Sequence, residues 1–300
     1  MPVNVVKNHQ NVRILPRCAF FSISISLELH RRAGSARLQL RECCPTDNRN
    51  IPGEIPENIF LCGDPERVDQ ISASWTETQI VCRVREYRVI SGKLEGLAVA
   101  AASTGIGAPS TAILVEELAK LGARRLIRIG NSGGLASGLN IGELVVTTGC
   151  VRDDGTSTSY VHPSYPAVAD YRLVTALMDA GLNSGLPCHA GITWSLDAFY
   201  IRNSVLGPEG EMTSMSFQNY WNREHQTKVE AMQAARVINC EMEAGTLLTL
   251  GNLFGLQTAC ICVVSDLTPW PGPSAIDLDR NMGTCIEVAG RAMLSVSTLS

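Results

Sequence analysis

Short apolar runs recur along the chain from residue 59 onward. Most end in glycine, hydroxyl or charged residues before a helical pattern begins. Ile59–Cys62 predicts a buried strand. It ends in Gly63-Asp64-Pro65-Glu66-Arg67, and Val68–Ala73 opens a helix whose first turn suits a proline. Val81–Ile90 alternates apolar and charged positions and predicts one strand, with Arg83, Arg85 and Tyr87 on one face and Cys82, Val84 and Glu86 on the other. Leu94–Ala101 predicts another strand, running into the turn Ser103–Ser110 and a helix over Thr111–Leu121. Leu126-Ile127 begins a strand that carries Arg128 and breaks into a glycine-rich turn over Gly130–Gly134.

Further on, strands are expected at Gly142–Thr148, Ala190–Ser195, Val237–Cys240 and Thr258–Val264. Helices are expected at Tyr171–Ala180, Lys228–Ala235, Ala244–Leu253 and Gly283–Leu294. Between them lie a hydroxyl-rich segment, Arg152–Tyr165, and a Gly- and Met-bearing loop, Ile201–Ser216. Such alternation of strands and helices predicts an α/β fold, a single domain with a central mixed, twisted sheet flanked by helices.

Residues 1–50 fit no such pattern. Arg13, Arg17, Arg31, Arg32, Arg37, Arg41 and Arg49 face few acids there, and the apolar pieces hold no period. The segment reads as an irregular N-terminal extension or a targeting sequence, and residues 51–300 as the functional domain.

The 300 residues carry a net charge of −4 with no long basic run, which excludes the cationic face of a nucleic-acid binder. Eleven cysteines, scattered through apolar runs without zinc spacing, point to reduced thiols and a cytoplasmic protein. The apolar runs are too short to span a membrane.

Chemistry collects at the strand ends. Arginine is a forked donor for phosphate; Arg67 and Arg128 lie beside turns, and Arg85 stands on the charged face of the strand Val81–Ile90. Glu241 and Glu243, two apart at a strand end, can accept from vicinal sugar hydroxyls, with Met242 between them. Taken singly, each feature reads equally well as a turn, a surface ion pair or a helix start charged to suit its dipole.

The combination GDPERV (Gly63–Val68), REY (Arg85–Tyr87), TGIGAPST (Thr104–Thr111), RIGNSG (Arg128–Gly133), PAVADY (Pro166–Tyr171), DAFY (Asp197–Tyr200) and CEMEAGTLL (Cys240–Leu248) resembles the nucleoside phosphorylase family, uridine phosphorylase type. The resemblance implies phosphorolysis of uridine in salvage, with Arg85, Arg128 and Glu243 catalytic. Phosphate would be held by Gly63, Arg67, Arg85, Arg128 and Asn131 or Ser132, with Arg85 supplied by a neighbouring subunit. Glu241, Met242 and Glu243 would meet the ribose. Phe199 and Gly133 would meet the base, together with Gln218, Arg223 and Asp266. Glu86, Ile106 and Ser110 match positions that hold an interface cation in some members. No cofactor is otherwise implied, and the expected partners are phosphate, a nucleoside and a second copy of the chain.

The sequence departs from the uridine pattern in three places. The Gln/Arg pair that follows the FY dipeptide is replaced by Ile201-Arg202-Asn203, which leaves Gln218 with Arg223, or Arg202, to read the base. Asp266 resembles the acid of the purine branch, so a purine nucleoside phosphorylase or nucleosidase is the alternative. No histidine precedes GDPER at the expected spacing.

Overall fold

The computed structural model describes residues 24–26, 39–41, 55–220, 222–270 and 276–298. Two short strands, β1 (Ser24–Ser26) and β2 (Gln39–Arg41), pair antiparallel within a first unit, Met1–Glu54. The rest of the extension expected over residues 1–50 lies outside the described residues. A second unit, Ile55–Ser300, holds every other element.

That unit begins with β3 (Asn58–Cys62), an apolar strand buried at every position. Asp64 folds the next turn by accepting from the Glu66 N–H at 2.8 Å, and α1 (Arg67–Ser72) follows. β4 (Thr76–Val84) and β5 (Tyr87–Leu94) form an antiparallel hairpin around Arg85-Glu86. The single strand expected over Val81–Ile90 is thus two strands. Arg85 takes the positive φ of 54° that folds the chain back. The apolar–polar alternation continues through the turn, and no glycine or asparagine marks it.

β6 (Leu97–Ser103), α2 (Ala108–Lys120), β7 (Arg125–Gly134) and β8 (Leu144–Asp153) come next. α3 (Gly155–Tyr160) interrupts the hydroxyl-rich segment, capped by Asp154. β9 (Ala167–Val168) and α4 (Tyr171–Leu182), capped by Asp170, lead to β10 (Cys188–Leu196) and α5 (Phe199–Arg202). The expected loop Ile201–Ser216 contains a small hairpin of β11 (Ser204–Leu206) and β12 (Met212–Ser214). α6 (Arg223–Ala234), β13 (Asn239–Glu241), α7 (Ala244–Phe254), β14 (Gln257–Leu267) and α8 (Met282–Ser297) complete the unit.

The main sheet is mixed and runs β13-β10-β8-β14-β7-β3-β6-β5-β4, with β9 beside β8. β13 also pairs antiparallel with β7, through Cys240–Gly133 and Asn239–Gly134, so β13, β10, β8, β14 and β7 close into a ring. This pairing overturns the turn expected over Gly130–Gly134. The segment stays extended because β14 takes one edge as far as Gly134 while β13 takes the other.

Ile127, Ile129, Ile261 and Val263 face a core closed by Leu173 and Leu177 of α4 and by Cys285, Ala289 and Met293 of α8. The alternate residues of β7, including Arg128 and Gly130, point to the opposite face.

Candidate active site

Arg128 stands in the middle of β7 and is only 4% exposed. Burying a guanidinium is costly unless carboxylates answer it. Its Nε donates to Glu241 at 3.0 Å and its Nη2 donates to Glu243. The buried Nη1 has no hydrogen-bond partner among the described residues. Burial alone would pull the Arg128 pKa down, but Glu243 and Glu241 outweigh it and hold the group more firmly protonated than usual. Space for this side chain comes from Gly130, where a Cβ would lie 3.0 Å from Nη2 and 3.2 Å from Cζ.

The two glutamates end β13, where the chain turns into α7. Glu241 accepts from the N–H groups of Glu243 (2.8 Å) and Ala244 (2.9 Å), so it holds the start of α7 as well as Arg128. Glu243 is 4% exposed and accepts from the Gly107 N–H at 2.6 Å, where α2 begins. Gly107 has φ of 93°, a conformation suited to glycine. Burial raises the Glu243 pKa against the opposing pull of Arg128. Met242, between the two acids, is partly exposed.

β3 lies beside β7, with Leu61 opposite Arg128. Gly63 follows it, and a Cβ there would sit 3.6 Å from the Gly105 carbonyl. Arg67 opens α1. Burial pushes the Cys62 thiol up to about 12 against the opposing charges of Arg67 and Arg128. Thr104 closes that edge by donating its N–H to the Cys62 carbonyl at 2.7 Å. Arg128 and Glu243 are thus in contact, and Gly63 and Arg67 follow the strand that pairs beside Arg128.

Of the two residues proposed after the glycine turn, Asn131 does not join them. It alternates to the other face of β7 and donates to the Leu278 carbonyl at 3.3 Å. Ser132 shares the face of Arg128 but bonds the Val263 carbonyl at 3.4 Å.

Beyond Ser132, Gly133 has its own close neighbours. A Cβ there would lie 2.9 Å from Arg202 Nη1, 2.9 Å from Asp266 Oδ2 and 3.2 Å from Cys240 Sγ. Arg202 is 6% exposed, and its Nη1 donates to Cys240 Sγ and, at 3.4 Å, to Thr268 Oγ1. Its Nε is buried without a partner, and among the described residues no carboxylate pairs with it. The guanidinium lies 5.5 Å from the Phe199 ring centroid. A cavity of about 220 Å³ adjoins Arg202, lined also by Met212, Gln226, Val229, Gln233 and Pro269. By contrast Gln218 and Arg223 are exposed. Asp266 is 3% exposed, and its oxygens accept from Ser265 Oγ and Trp270 Nε1, each at 2.9 Å.

Arg85 is exposed at the tip of the β4–β5 hairpin. Glu86, beside it, packs on Gly105, whose Cβ would lie 2.7 Å from Glu86 Cγ and 3.5 Å from Ser110 Oγ. Ser110 donates to the Ile106 carbonyl at 3.2 Å, so the three expected cation residues are neighbours. Among the described residues no group of three or more His, Cys, Asp or Glu side chains could hold a metal ion.

Sequence reasoning placed Gly107 in a glycine turn suited to a phosphate but missed its backbone contact with Glu243. It also missed Cys240, Thr268 and Trp270 as parts of the site; Cys240 reads as core and carried no signal. The Pro/Trp turn after Asp266 was visible, but its contact with Asp266 depends on the fold.

The sequence model of the Phosphorylase superfamily matches residues 58–296. A uridine phosphorylase of Thermococcus kodakarensis is 43% identical over 213 residues, 71% of this chain and 74% of that protein. A guanosine phosphorylase of Halorubrum lacusprofundi is 34% identical over 71% of this chain and 79% of its own length. Among solved structures, a uridine phosphorylase from Vibrio fischeri complexed with 6-hydroxy-1-naphthoic acid superposes with a TM-score of 0.69 at 28% identity. It covers 82% of this chain and 93% of that one.

Proposed function

We propose that this chain, which belongs to the Phosphorylase superfamily, is a uridine phosphorylase that converts uridine and phosphate reversibly to uracil and ribose 1-phosphate. The observation that carries this reading is Arg128, buried between Glu241 and Glu243 with Nη1 unpartnered. A fixed cation with one open donor suits a phosphate, and a carboxylate beside it suits ribose hydroxyls.

Arg67 and Arg128 hold phosphate in line with C1′, where orientation and charge both lower the barrier. A phosphate oxygen bonds to C1′ as the C1′–N1 bond breaks. The bonding pair leaves on uracil, which then takes a proton from water. Glu243 holds the ribose through bonds that strengthen as positive charge grows at C1′. Arg202 takes the place expected of Gln218 and Arg223, because it is buried beside Gly133 with its Nε unpartnered, and such a donor suits a carbonyl acceptor such as those of uracil. This reading needs no cofactor in the chemistry.

A homodimer brings Arg85 from the hairpin tip of one copy to the site of the other. Glu86, Ile106 and Ser110 offer about three oxygens per copy, so two copies together offer the six that a hard cation takes. The eight described cysteines are all free, which supports a reducing compartment such as the cytoplasm. Among the described residues no helix is long and apolar enough to cross a membrane.

Asp266 favours a second reading, purine nucleoside cleavage, in which it would protonate the ring. Its two oxygens, however, already accept from Ser265 and Trp270. Release of uracil from uridine and of hypoxanthine from inosine, each with and without phosphate, separates the readings. The expected result is uracil release that requires phosphate and exceeds hypoxanthine release. Faster inosine cleavage would move the chain to the purine branch.

A further inference from the structure

We propose that Glu243 couples nucleoside binding to phosphate binding, so that the ribose is gripped only once phosphate has taken Arg128. This rests on the phosphorylase reading above. The argument starts from how the Arg128 nitrogens are shared. Nε is on Glu241, Nη2 is on Glu243, and Nη1 is buried with no partner.

The two acids are not equivalent. Glu241 is fixed by its further bonds to the Glu243 and Ala244 N–H groups, which anchor α7. Glu243 divides its oxygens. Oε1 accepts from Gly107 at the start of α2, and Oε2 is taken up by Arg128. A sugar hydroxyl reaching Oε2 must share that oxygen with the guanidinium, which holds part of its charge and leaves it a weaker acceptor than a freed carboxylate oxygen.

Phosphate reaches Arg128 first at Nη1, the open donor. Its higher charge then lets it compete with the carboxylate for Nη2, since guanidinium and phosphate match in a forked geometry. Oε2 of Glu243 is released toward the ribose, while Oε1 stays on Gly107 and keeps the side chain in place. The nucleoside is therefore held in reactive form when the nucleophile beside C1′ is phosphate, and not when it is water. Glu243 on this view determines specificity for the nucleophile as well as gripping the sugar.

The test uses the full chain and sulfate, an anion that occupies a phosphate site without reacting. Uridine binding is measured by calorimetry with and without saturating sulfate. Uridine should bind at least about fivefold tighter with sulfate present, and by reciprocity sulfate should tighten equally with uridine. Glu243→Gln keeps an acceptor for Gly107 but removes the competing charge. It should bind sulfate about tenfold more tightly than wild type, a difference of ~1.4 kcal/mol, and should show no coupling. Equal uridine affinity with and without sulfate in wild type, which involves no substitution, overturns the proposal. So does sulfate binding by Glu243→Gln that is no tighter than in wild type. Absence of phosphate-dependent uracil release from wild type would instead overturn the phosphorylase reading itself.

Discussion

Arg128 and Glu243 are in direct contact although each is only 4% exposed. The pair joins the centre of β7 to the start of α7, and Glu241 doubles the link. Removing one member of such a buried pair leaves an uncompensated charge. Arg128→Ala is expected to lower stability by about 3–5 kcal/mol and to abolish phosphorolysis. Urea unfolding and uracil release check the two effects separately.

Gly130→Ala tests the space rather than the charge. The added methyl would lie 3.0 Å from Arg128 Nη2, so the guanidinium must shift by a few tenths of an ångström. The fold should persist, while kcat/KM for phosphate falls about tenfold or more because the anion is misaligned. Unchanged phosphate kinetics would show that Arg128 does not hold it.

The two carboxylates should separate by readout. Glu241→Gln weakens the bonds that start α7, so the unfolding midpoint should fall, by roughly 1 kcal/mol of stability. Glu243→Gln leaves Arg128 paired with Glu241, so it should lower the midpoint far less than Arg128→Ala and no more than Glu241→Gln, yet reduce kcat for uridine by about a hundredfold. The reverse pattern would exchange their roles.

Base reading is assigned to Arg202 and not to the exposed Gln218 and Arg223. Arg202→Ala should reduce kcat/KM for uridine by about a hundredfold, as expected when a carbonyl loses a charged donor. Gln218→Ala and Arg223→Ala should remain within about twofold of wild type. Steady-state kinetics of the three variants decide the point.

Alkali should loosen the fold through its buried thiols. Burial raises Cys62 to about 12 and Cys240 to about 11, partly offset by Arg67 and Arg128 at the first and by Arg202 at the second. The unfolded chain gives up these protons near the ordinary thiol value, at about pH 8.5. It therefore binds fewer protons than the native state above that pH, and stability falls as pH rises. The contribution is full below about pH 8.5 and is lost as pH rises through about 11 and 12. Urea midpoints between these limits should decline, and the decline should be shallower in Cys62→Ala.

Much of this architecture is legible in the chain itself. β3 and β14 announce themselves as apolar runs, and α4 and α8 as periodic segments. Arg67, Arg128 and Glu243 could be named because GDPERV, RIGNSG and CEMEAGTLL together resemble the motifs of a known family, whereas each charge taken singly suits a turn, an ion pair or a helix start equally well. Illegible were the features that depend on a distant partner. Gly133 and Gly134 look like a turn until β13 is seen to pair with them. Arg85-Glu86 looks like strand until the chain is seen to reverse. Arg202 and Cys240 are 38 residues apart, and nothing local predicts that they touch.

The ring formed by β13, β10, β8, β14 and β7 has a consequence for how such an enzyme diversifies. Arg128 on β7 and Glu241 and Glu243 at the end of β13 are tied to one another by the closure, so a change in one strand disturbs the others. The excursion from α5 through β11 and β12 to α6 leaves the ring at β10 and rejoins it at β13, carrying Arg202 with it. It is an exchangeable cassette. On the proposed role of Arg202, length changes and new side chains there would alter which base is accepted and leave Arg128, Glu241 and Glu243 in place.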